Sequence, residues 1–162
     1  MNQHQSNNYY TIQKASITDA QEVSELIIKS VDFFHAKNYT NEELAIWRRG
    51  YCPKNLKNQI LKRDSFVIVV KNIIAGFIQF DPPEIKGFYI KPKFIGKGFG
   101  NILLHHTLEI IKANGYEHIE LTSNKWTIGF YNKNGFKLTS KEIVYWENHP
   151  FVEYRMEKEL LD

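Results

Sequence analysis

The segment FYIKPKFIGKGFG, from Phe88 to Gly100, most constrains what this chain can fold into. It predicts a strand, a short basic loop with three alternating glycines, and the first turn of a helix. Glycine brings the backbone close to a ligand because it has no Cβ and adopts a positive φ at little cost. A helix N-terminus adds unpaired N–H groups and the positive end of its dipole. The segment therefore predicts a binding loop for a phosphate-bearing ligand.

Two well-known phosphate loops fit this segment poorly. A Walker A loop needs G-x-x-x-x-G-K-[ST], and the chain has no such run. The dinucleotide fingerprint needs G-x-G-x-x-G, whereas Gly96, Gly98 and Gly100 are spaced two and two. Glu120 does lie about where a ribose-binding acid would fall, but no second mononucleotide-binding half follows it. A dinucleotide binder is therefore the weaker of the open alternatives.

The hydrophobic pattern changes period along the chain and predicts a mixed α/β architecture. Ile85 to Leu121 forms one strand–glycine loop–helix–strand unit, whose two strands we expect to be parallel with a right-handed connection. The flanking strands are predicted to pair as antiparallel hairpins, which gives a mixed sheet with helices on its faces. The pattern predicts helices at 19–36, 40–47, 53–61, 99–113 and 125–132, and strands at 9–14, 66–70, 73–80, 85–90, 116–121, 136–146 and 151–159.

Composition predicts one domain over residues 9–162, preceded by a disordered polar tail at residues 1–8. The net charge of +3 is far below that of a dedicated nucleic-acid binder, so we expect no nucleic-acid partner. Cys52 is the only cysteine, which rules out an intramolecular disulfide and suits a reducing compartment. The apolar stretches are too short to cross a membrane. A cytoplasmic protein without a membrane partner is expected.

A closer match to the glycine loop lies in a known enzyme family. Ile95 to Gly100 resembles motif A of the GNAT superfamily of N-acetyltransferases, [QR]-x-x-G-x-[GA]. Gly98 and Gly100 occupy the last two defined positions of the motif. Ile95 occupies the first, where the family normally has Gln or Arg. Because backbone amides do most of the pyrophosphate binding in the family, this departure is expected to weaken binding without abolishing it.

A second motif supports the same resemblance. The run from Asn124 to Phe136 is similar to the family's motif B, N-x-x-A-x-x-[FL]-Y-x-K-x-G-F, with Thr127 in place of the usual Ala. Weaker similarity at residues 39–47 and 154–160 extends the match to nearly the whole chain beyond residue 9. The resemblance implies a GNAT-like fold, a central mixed sheet with flanking helices and a βαβ unit that binds acetyl-CoA. The residues that match the motif are Asn124, Phe130, Tyr131, Lys133, Gly135 and Phe136.

The resemblance implies an N-acetyltransferase that moves an acetyl group from acetyl-CoA to a primary amine of a small molecule or peptide. The amine would attack directly through a tetrahedral intermediate, with acetyl-CoA as cosubstrate and no metal. Backbone groups of Phe88 and Ile90 would pair with the pantetheine arm, and the Ile90 amide would lie near the thioester oxygen. Asn124 would hydrogen-bond the pantetheine. The pyrophosphate would be held by Ile95, Gly96, Lys97, Gly98, Phe99 and Gly100.

The same resemblance assigns two catalytic residues. Tyr131 would be the general acid that protonates the departing thiolate, although a tyrosine that only packs under the cosubstrate has the same pattern. Glu84 lies near where several family members have a carboxylate base, although an exposed charge after two prolines is the simpler interpretation. His35, at the end of the first helix, is a further candidate to face the acceptor cleft, although a helix-terminal histidine is more often a favourable partner of the helix dipole.

A second function stays open. A non-catalytic acyl-CoA-binding sensor or interaction module would explain both Ile95 and the lack of an obvious base. The acceptor amine cannot be derived from these residues, and a homodimer is compatible with the family.

Overall fold

The computed structural model describes residues 9–161, and within that range seven strands form one mixed sheet flanked by helices. The predicted tail at residues 1–8 lies outside the described residues. The sheet order is β1-β2-β3-β4-β5-β7-β6, and the β4–β5 pair is parallel, which confirms the predicted α/β architecture. The elements are β1 (Tyr10–Lys14), α1 (Ala20–His35), α2 (Asn41–Gly50), α3 (Pro53–Lys62), β2 (Asp64–Val70), β3 (Ile73–Asp81), β4 (Glu84–Ile90), α4 (Phe99–Ala113), β5 (His118–Ser123), α5 (Ile128–Lys133), β6 (Lys137–Trp146) and β7 (His149–Glu159).

Local sequence signals fix several of these boundaries. The Thr40 hydroxyl accepts a hydrogen bond from the Glu43 amide at 3.2 Å, and the Glu43 carboxylate accepts one from the Thr40 amide at 2.8 Å. This reciprocal capping box starts α2, as the sequence predicts. Pro53 occupies the first turn of α3, where its missing N–H has no helical partner to lose. Lys71 and Asn72 have φ of 49° and 63° and turn β2 into β3.

Helices cover both faces of the sheet because consecutive strand residues point to opposite sides. Ile68, Ala75 and Ile78 face α4 and belong to a core that we call the α4-side core. Their neighbours Val67 and Phe77 face α1 and α3 in a second core, the α1-side core. The α4-side core includes Leu103, Leu104, Leu108, Ile119, Leu121 and Tyr131, and the α1-side core includes Val23, Leu26, Ile27, Leu44, Leu56 and Ile74.

The sheet opens between β4 and β5. Their parallel ladder has only two residue pairs, Glu84 with Glu120 and Ile85 with Leu121. Beyond Ile85, β4 stays paired with β3 through Ile90, and β5 stays paired with β7 through Ser123. The central sheet therefore has a gap at the carboxyl ends of two neighbouring parallel strands, where α/β proteins commonly bind ligands. In the described part of the chain, no helix is long and apolar enough to cross a membrane.

Candidate functional site

The gap between β4 and β5 is the entrance to a large cleft. Its cavity volume is 760 Å³, and its walls come from the carboxyl ends of α1, β4 and β5, from α2 and α5, and from the β6–β7 hairpin. Phe88 and Ile90 line it while packing on the α4-side core, whereas Tyr89 lines it while packing on the α1-side core. The cleft is therefore reached from both faces of the sheet.

One end of the cleft lies at the N-terminus of α4. Gly98 is the N-cap of α4 with φ of 86°, and Gly96 has φ of 76°, so both adopt a conformation that strains other residues. A Cβ atom at either glycine would meet nothing within 4 Å. The first turn of α4 has no acidic residue. The exposed backbone, the unpaired first-turn amides and the helix dipole together make a site suited to an anion.

Two lysines and one apolar residue surround this end. The Nζ atoms of Lys93 and Lys97 lie 5.1 and 5.8 Å from the ring centroid of Phe94, which lines the cleft. Both cations are thus held beside the glycine loop, although neither Lys93 nor Lys97 itself lines the cleft. Ile95 also lines the cleft and is 44% exposed. A side chain at position 95 therefore reaches both the cleft and solvent.

The backbone of β4 offers an unpaired edge to the cleft. The Lys91 amide donates to the Ala75 carbonyl at 2.8 Å, and the register pairs Ile90 with Gly76. Hydrogen-bonded and non-bonded pairs alternate in an antiparallel ladder, so Ile90 and Phe88 turn their amides and carbonyls away from β3. That edge faces the gap where β5 has separated. Ser30 of α1, which is buried, donates to the Ile90 carbonyl at 3.1 Å and fixes the end of this edge.

Tyr131 lies between the two ends of the cleft, at the centre of α5. It is 8% exposed, packs on the α4-side core and has ring contacts with Phe130 and Phe136 at 5.2 and 5.6 Å. Burial raises the pKa of its phenol above the ordinary value of 10, because the interior disfavours the phenolate. The side chain therefore keeps its proton throughout the physiological range.

Asn124 combines a structural contact with a position in the cleft. Its Oδ1 atom accepts hydrogen bonds from the amides of Trp126 and Thr127 at 3.0 and 3.1 Å and orders the turn before α5. Its Nδ2 atom is 3.4 Å from His35 Nε2. The Nδ1 atom of His35 is buried and has no partner among residues 9–161. Burial lowers the His35 pKa, so the imidazole is neutral near pH 7.

The other end of the cleft is an aromatic pocket. Trp47 of α2 stacks on Tyr51 at 5.4 Å and meets Trp146 of β6 at 4.8 Å. Tyr89 packs edge-on against Tyr51 at 5.5 Å. Aromatic residues cluster in the sequence from Phe33 to Tyr51, but Phe33 is 69% exposed and does not line the cleft. The residues that we call the aromatic pocket are Tyr39, Trp47, Tyr51, Tyr89 and Trp146.

Glu153 of β7 belongs to this pocket, and sequence reasoning missed it. It lines the cleft within hydrogen-bonding reach of the Thr122 side chain. Burial, followed by the nearby charges of Glu142 and Glu84, raises the pKa of its carboxyl above the ordinary value. No motif marks this residue, because it is one of several charged positions that alternate along a strand.

Glu84, the base that the resemblance suggested, lies at the first position of β4 and does not line the cleft. Its carboxylate is ion-paired with Lys86. Glu120, the acid considered for a dinucleotide site, is ion-paired with Arg155 at 3.1 Å. The glycine loop, Phe88, Ile90, Asn124 and Tyr131 thus share one cleft, whereas Glu84 acts on it only through its charge.

Comparison with solved structures shows that N-acetyltransferases share this fold. A solved structure of PaiA N-acetyltransferase from Thermoplasma acidophilum, in complex with coenzyme A, is 25% identical, with a TM-score of 0.80 over 93% of this chain and 98% of that one. A GCN5-related N-acetyltransferase from Rhodopseudomonas palustris has the same fold, with a TM-score of 0.86 at 16% identity over 97% of this chain and 99% of that one.

Sequence comparison gives the same result. An uncharacterised N-acetyltransferase of Methanocaldococcus jannaschii is 28% identical over 144 residues, which are 83% of this chain and 63% of the relative, so the chain spans less than two thirds of that protein. The family model of the acetyltransferase (GNAT) domain matches residues 35–158, from the end of α1 to the last strand. The chain belongs to the GNAT acetyltransferase domain family.

Proposed function

We propose that this protein transfers an acetyl group from acetyl-CoA to a primary amine. One observation carries the proposal: the edge of β4 at Phe88 and Ile90, which no neighbouring strand covers, shares a single cleft with the glycine N-cap of α4 and Tyr131. This arrangement suits an elongated molecule with a diphosphate at one end and a thioester at the other. The PaiA relative was solved with coenzyme A, which supports a coenzyme A site here.

The residues of the cleft fit such a cosubstrate. The diphosphate would lie at the first-turn amides of α4, where Gly96 and Gly98 leave the backbone uncovered. Lys93 and Lys97 would add screened attraction from beside Phe94. The amide-bearing arm would pair with the edge of β4 as an added strand does, through alternate backbone groups. Acetyl-CoA supplies the acetyl group in activated form, as a thioester of coenzyme A.

The chain's own groups account for the transfer. The nitrogen of the amine forms a bond to the acetyl carbon, the carbon–sulfur bond breaks, and the amine loses a proton. The Ile90 amide is directed at the cleft and would stabilise charge on the acetyl oxygen, a contact typically worth about a hundred- to a thousandfold in rate. Tyr131 keeps its proton because its pKa is raised, so its hydroxyl can donate to the departing sulfur.

Calorimetric titration with acetyl-CoA tests the cosubstrate site. Gly98→Glu places a carboxylate in the anion site and should abolish binding. Gly115→Glu is the matched control, because Gly115 has φ of 89° and open space for a Cβ but lies at the far end of α4. The control has the same added charge and backbone strain and should bind as the wild type does. No binding by the wild-type protein at millimolar acetyl-CoA would overturn the proposal.

Ile95 favours one other candidate function, a non-catalytic acyl-CoA sensor. An aliphatic side chain at the mouth of the anion site contributes no charge to a phosphate. Thiol release from acetyl-CoA in the presence of primary amines separates the two functions. Release that depends on both the amine and Tyr131 supports the enzyme, whereas binding without release supports the sensor.

A further inference from the structure

Glu153 occupies a distinctive place in the cleft. Within residues 9–161 it is the only acidic residue that lines the cavity. It lies two positions from Phe151 on β7 and therefore on the same face of the strand, where Phe151 contacts Tyr39 and Trp146 at 6.1 and 5.0 Å. Its carboxylate is close enough to act electrostatically on Tyr39, Tyr51 and Tyr89. Glu153 is thus the acid that lines the aromatic end of the cleft within residues 9–161, whereas Glu43 acts on Tyr39 from outside the cleft.

The cations near Glu153 are bound to other acids. Arg155 donates to both oxygens of Glu142 at 2.7 and 3.1 Å and is paired with Glu120 at 3.1 Å. Lys86 is paired with Glu84. Glu142 lies directly opposite Glu153 in the β6–β7 ladder, and two like charges in that position repel. Among the described residues no ion pair joins Glu153 to a cation; Thr122 lies within hydrogen-bonding reach, and Arg155 acts on Glu153 only from its pairs with Glu120 and Glu142. Glu153 can therefore still pair with a cationic ligand.

The rest of the pocket suits a cation with an apolar body. Aromatic faces attract an ammonium through their quadrupoles, and they also bury alkyl or aryl carbons. The Nε1 atom of Trp47 is buried and unpartnered among the described residues, as is Nδ1 of His35. Both residues line the cleft, so this end of it holds polar groups that the protein itself does not satisfy.

We propose that Glu153 binds the ammonium group of the acceptor in the aromatic pocket and takes the proton that the nitrogen must lose before attack. This assignment rests on the proposed acetyl transfer and specifies its acceptor. The proton passes from the ammonium nitrogen to a Glu153 oxygen, which leaves a neutral amine and a neutral carboxyl group. The Tyr89 phenol is near enough to interact electrostatically with both Glu153 and Tyr131.

The same geometry specifies the acceptor class. An acceptor with a carboxylate next to its nitrogen would bring a second negative charge beside Glu153, while Lys86, which lines the cleft, is paired with Glu84, and Arg155 is paired with Glu120 and Glu142. Such an acceptor is disfavoured by charge repulsion and by desolvation of an unpaired carboxylate. The expected substrates are therefore aryl- or alkylamines without a carboxylate on the carbon that bears the nitrogen, and amino acids are expected to be poor acceptors.

Three pairs of compounds that differ only in this carboxylate test the inference: phenethylamine with phenylalanine, tryptamine with tryptophan, and pentylamine with norleucine. For the wild type we expect at least one amine to exceed its amino acid by tenfold or more in kcat/KM. Glu153→Gln keeps the side-chain shape and should lower kcat/KM for that amine by roughly a hundredfold, as loss of a general base does. The matched control is Glu159→Gln, an exposed acid on the same strand.

The pH profile separates a base from a merely structural residue. In Glu153→Gln no carboxylate takes the proton, so only amine that is already neutral in solution can react. The rate of this variant should therefore keep rising with pH until the pH reaches the pKa of the amine. The wild-type rate should level off at a lower pH. Acetyl-CoA affinity should stay within threefold of wild type. Unchanged kcat/KM in Glu153→Gln, equal use of amines and amino acids, or no transfer to any of the three amines would each overturn this inference. Failure of the wild type to bind acetyl-CoA would instead overturn the proposed function.

Discussion

Phe88 and Tyr89 are consecutive residues of β4 that line one cleft from opposite faces of the sheet. The Phe88 ring lies 5.8 Å from Phe130 of α5, whereas the Tyr89 ring lies 5.5 Å from Tyr51 beyond α2. Their shared backbone edge is exposed only because β5 separates from β4 after Leu121. The anion site and the aromatic pocket are therefore joined through the gap in the sheet.

Tyr131→Phe should lower turnover tenfold or more while acetyl-CoA binding stays within about threefold. The change removes only the hydroxyl that we expect to donate to the departing sulfur, and it leaves the packed ring in place. Steady-state thiol release and calorimetry measure the two quantities. Tyr116→Phe, at the exposed end of α4, is the control. Unchanged turnover in Tyr131→Phe would remove this residue from the reaction.

Ser30→Ala should weaken acetyl-CoA binding about threefold, because Ser30 fixes the Ile90 carbonyl at the end of the β4 edge. Its loss should also reduce the free energy of unfolding by about 1 kcal/mol, the usual value of one hydrogen bond. Ser24→Ala is a matched control: Ser24 is also buried on α1 and donates to a carbonyl, that of Tyr51, at 2.7 Å. It should lower stability similarly without changing acetyl-CoA affinity. Equal effects of both variants on affinity would contradict this role of Ser30.

Ile95→Arg should tighten acetyl-CoA binding several-fold, because position 95 lines the cleft beside the anion site and is open to solvent. A guanidinium there adds charge-assisted contacts with phosphate. The gain should shrink at high salt, since an exposed charge is screened. Titrations at two salt concentrations measure it, and weaker binding than in the wild type would show that Ile95 contributes by packing.

Stability should fall at alkaline pH because buried tyrosines resist ionisation. Burial, followed by the nearby carboxylates of Glu153 and Glu43, raises the pKa of Tyr39 to about 12. The unfolded chain ionises the same side chain near 10, so its contribution is complete below about pH 10 and is lost as the pH rises from 10 to 12. The slope is about 1.4 kcal/mol per pH unit for each such tyrosine. Chemical denaturation across this range measures it, and Tyr39→Phe should make the decline shallower. A decline as steep as in the wild type would contradict the assignment.

Local signals in the sequence determined most of the elements. The predicted helix at 99–113 coincides with α4, and the predicted turn at Lys71 and Asn72 joins β2 to β3 as expected. Four starts were misplaced by two or three residues: β2 and β7 begin two residues earlier than predicted, and β5 and α5 begin later for identifiable reasons. The Tyr116 amide still bonds to the Ile111 carbonyl at the end of α4, so β5 begins only at His118. The Asn124 side chain holds a turn first, so α5 begins at Ile128 rather than Lys125.

The sequence by itself determined the anion site, because a glycine loop and a helix start are set by neighbouring residues. The tertiary structure alone decided the proposed acceptor side, the aromatic end of the cleft. Glu153 comes to line one cleft with Tyr39, Tyr51 and Tyr89 only once β7 and α2 have packed around the end of β4. Those contacts join residues far apart in the chain, and their energies depend on which neighbouring charges are already paired. No local pattern encodes that pairing, and so Glu153 could be recognised only after the chain had folded.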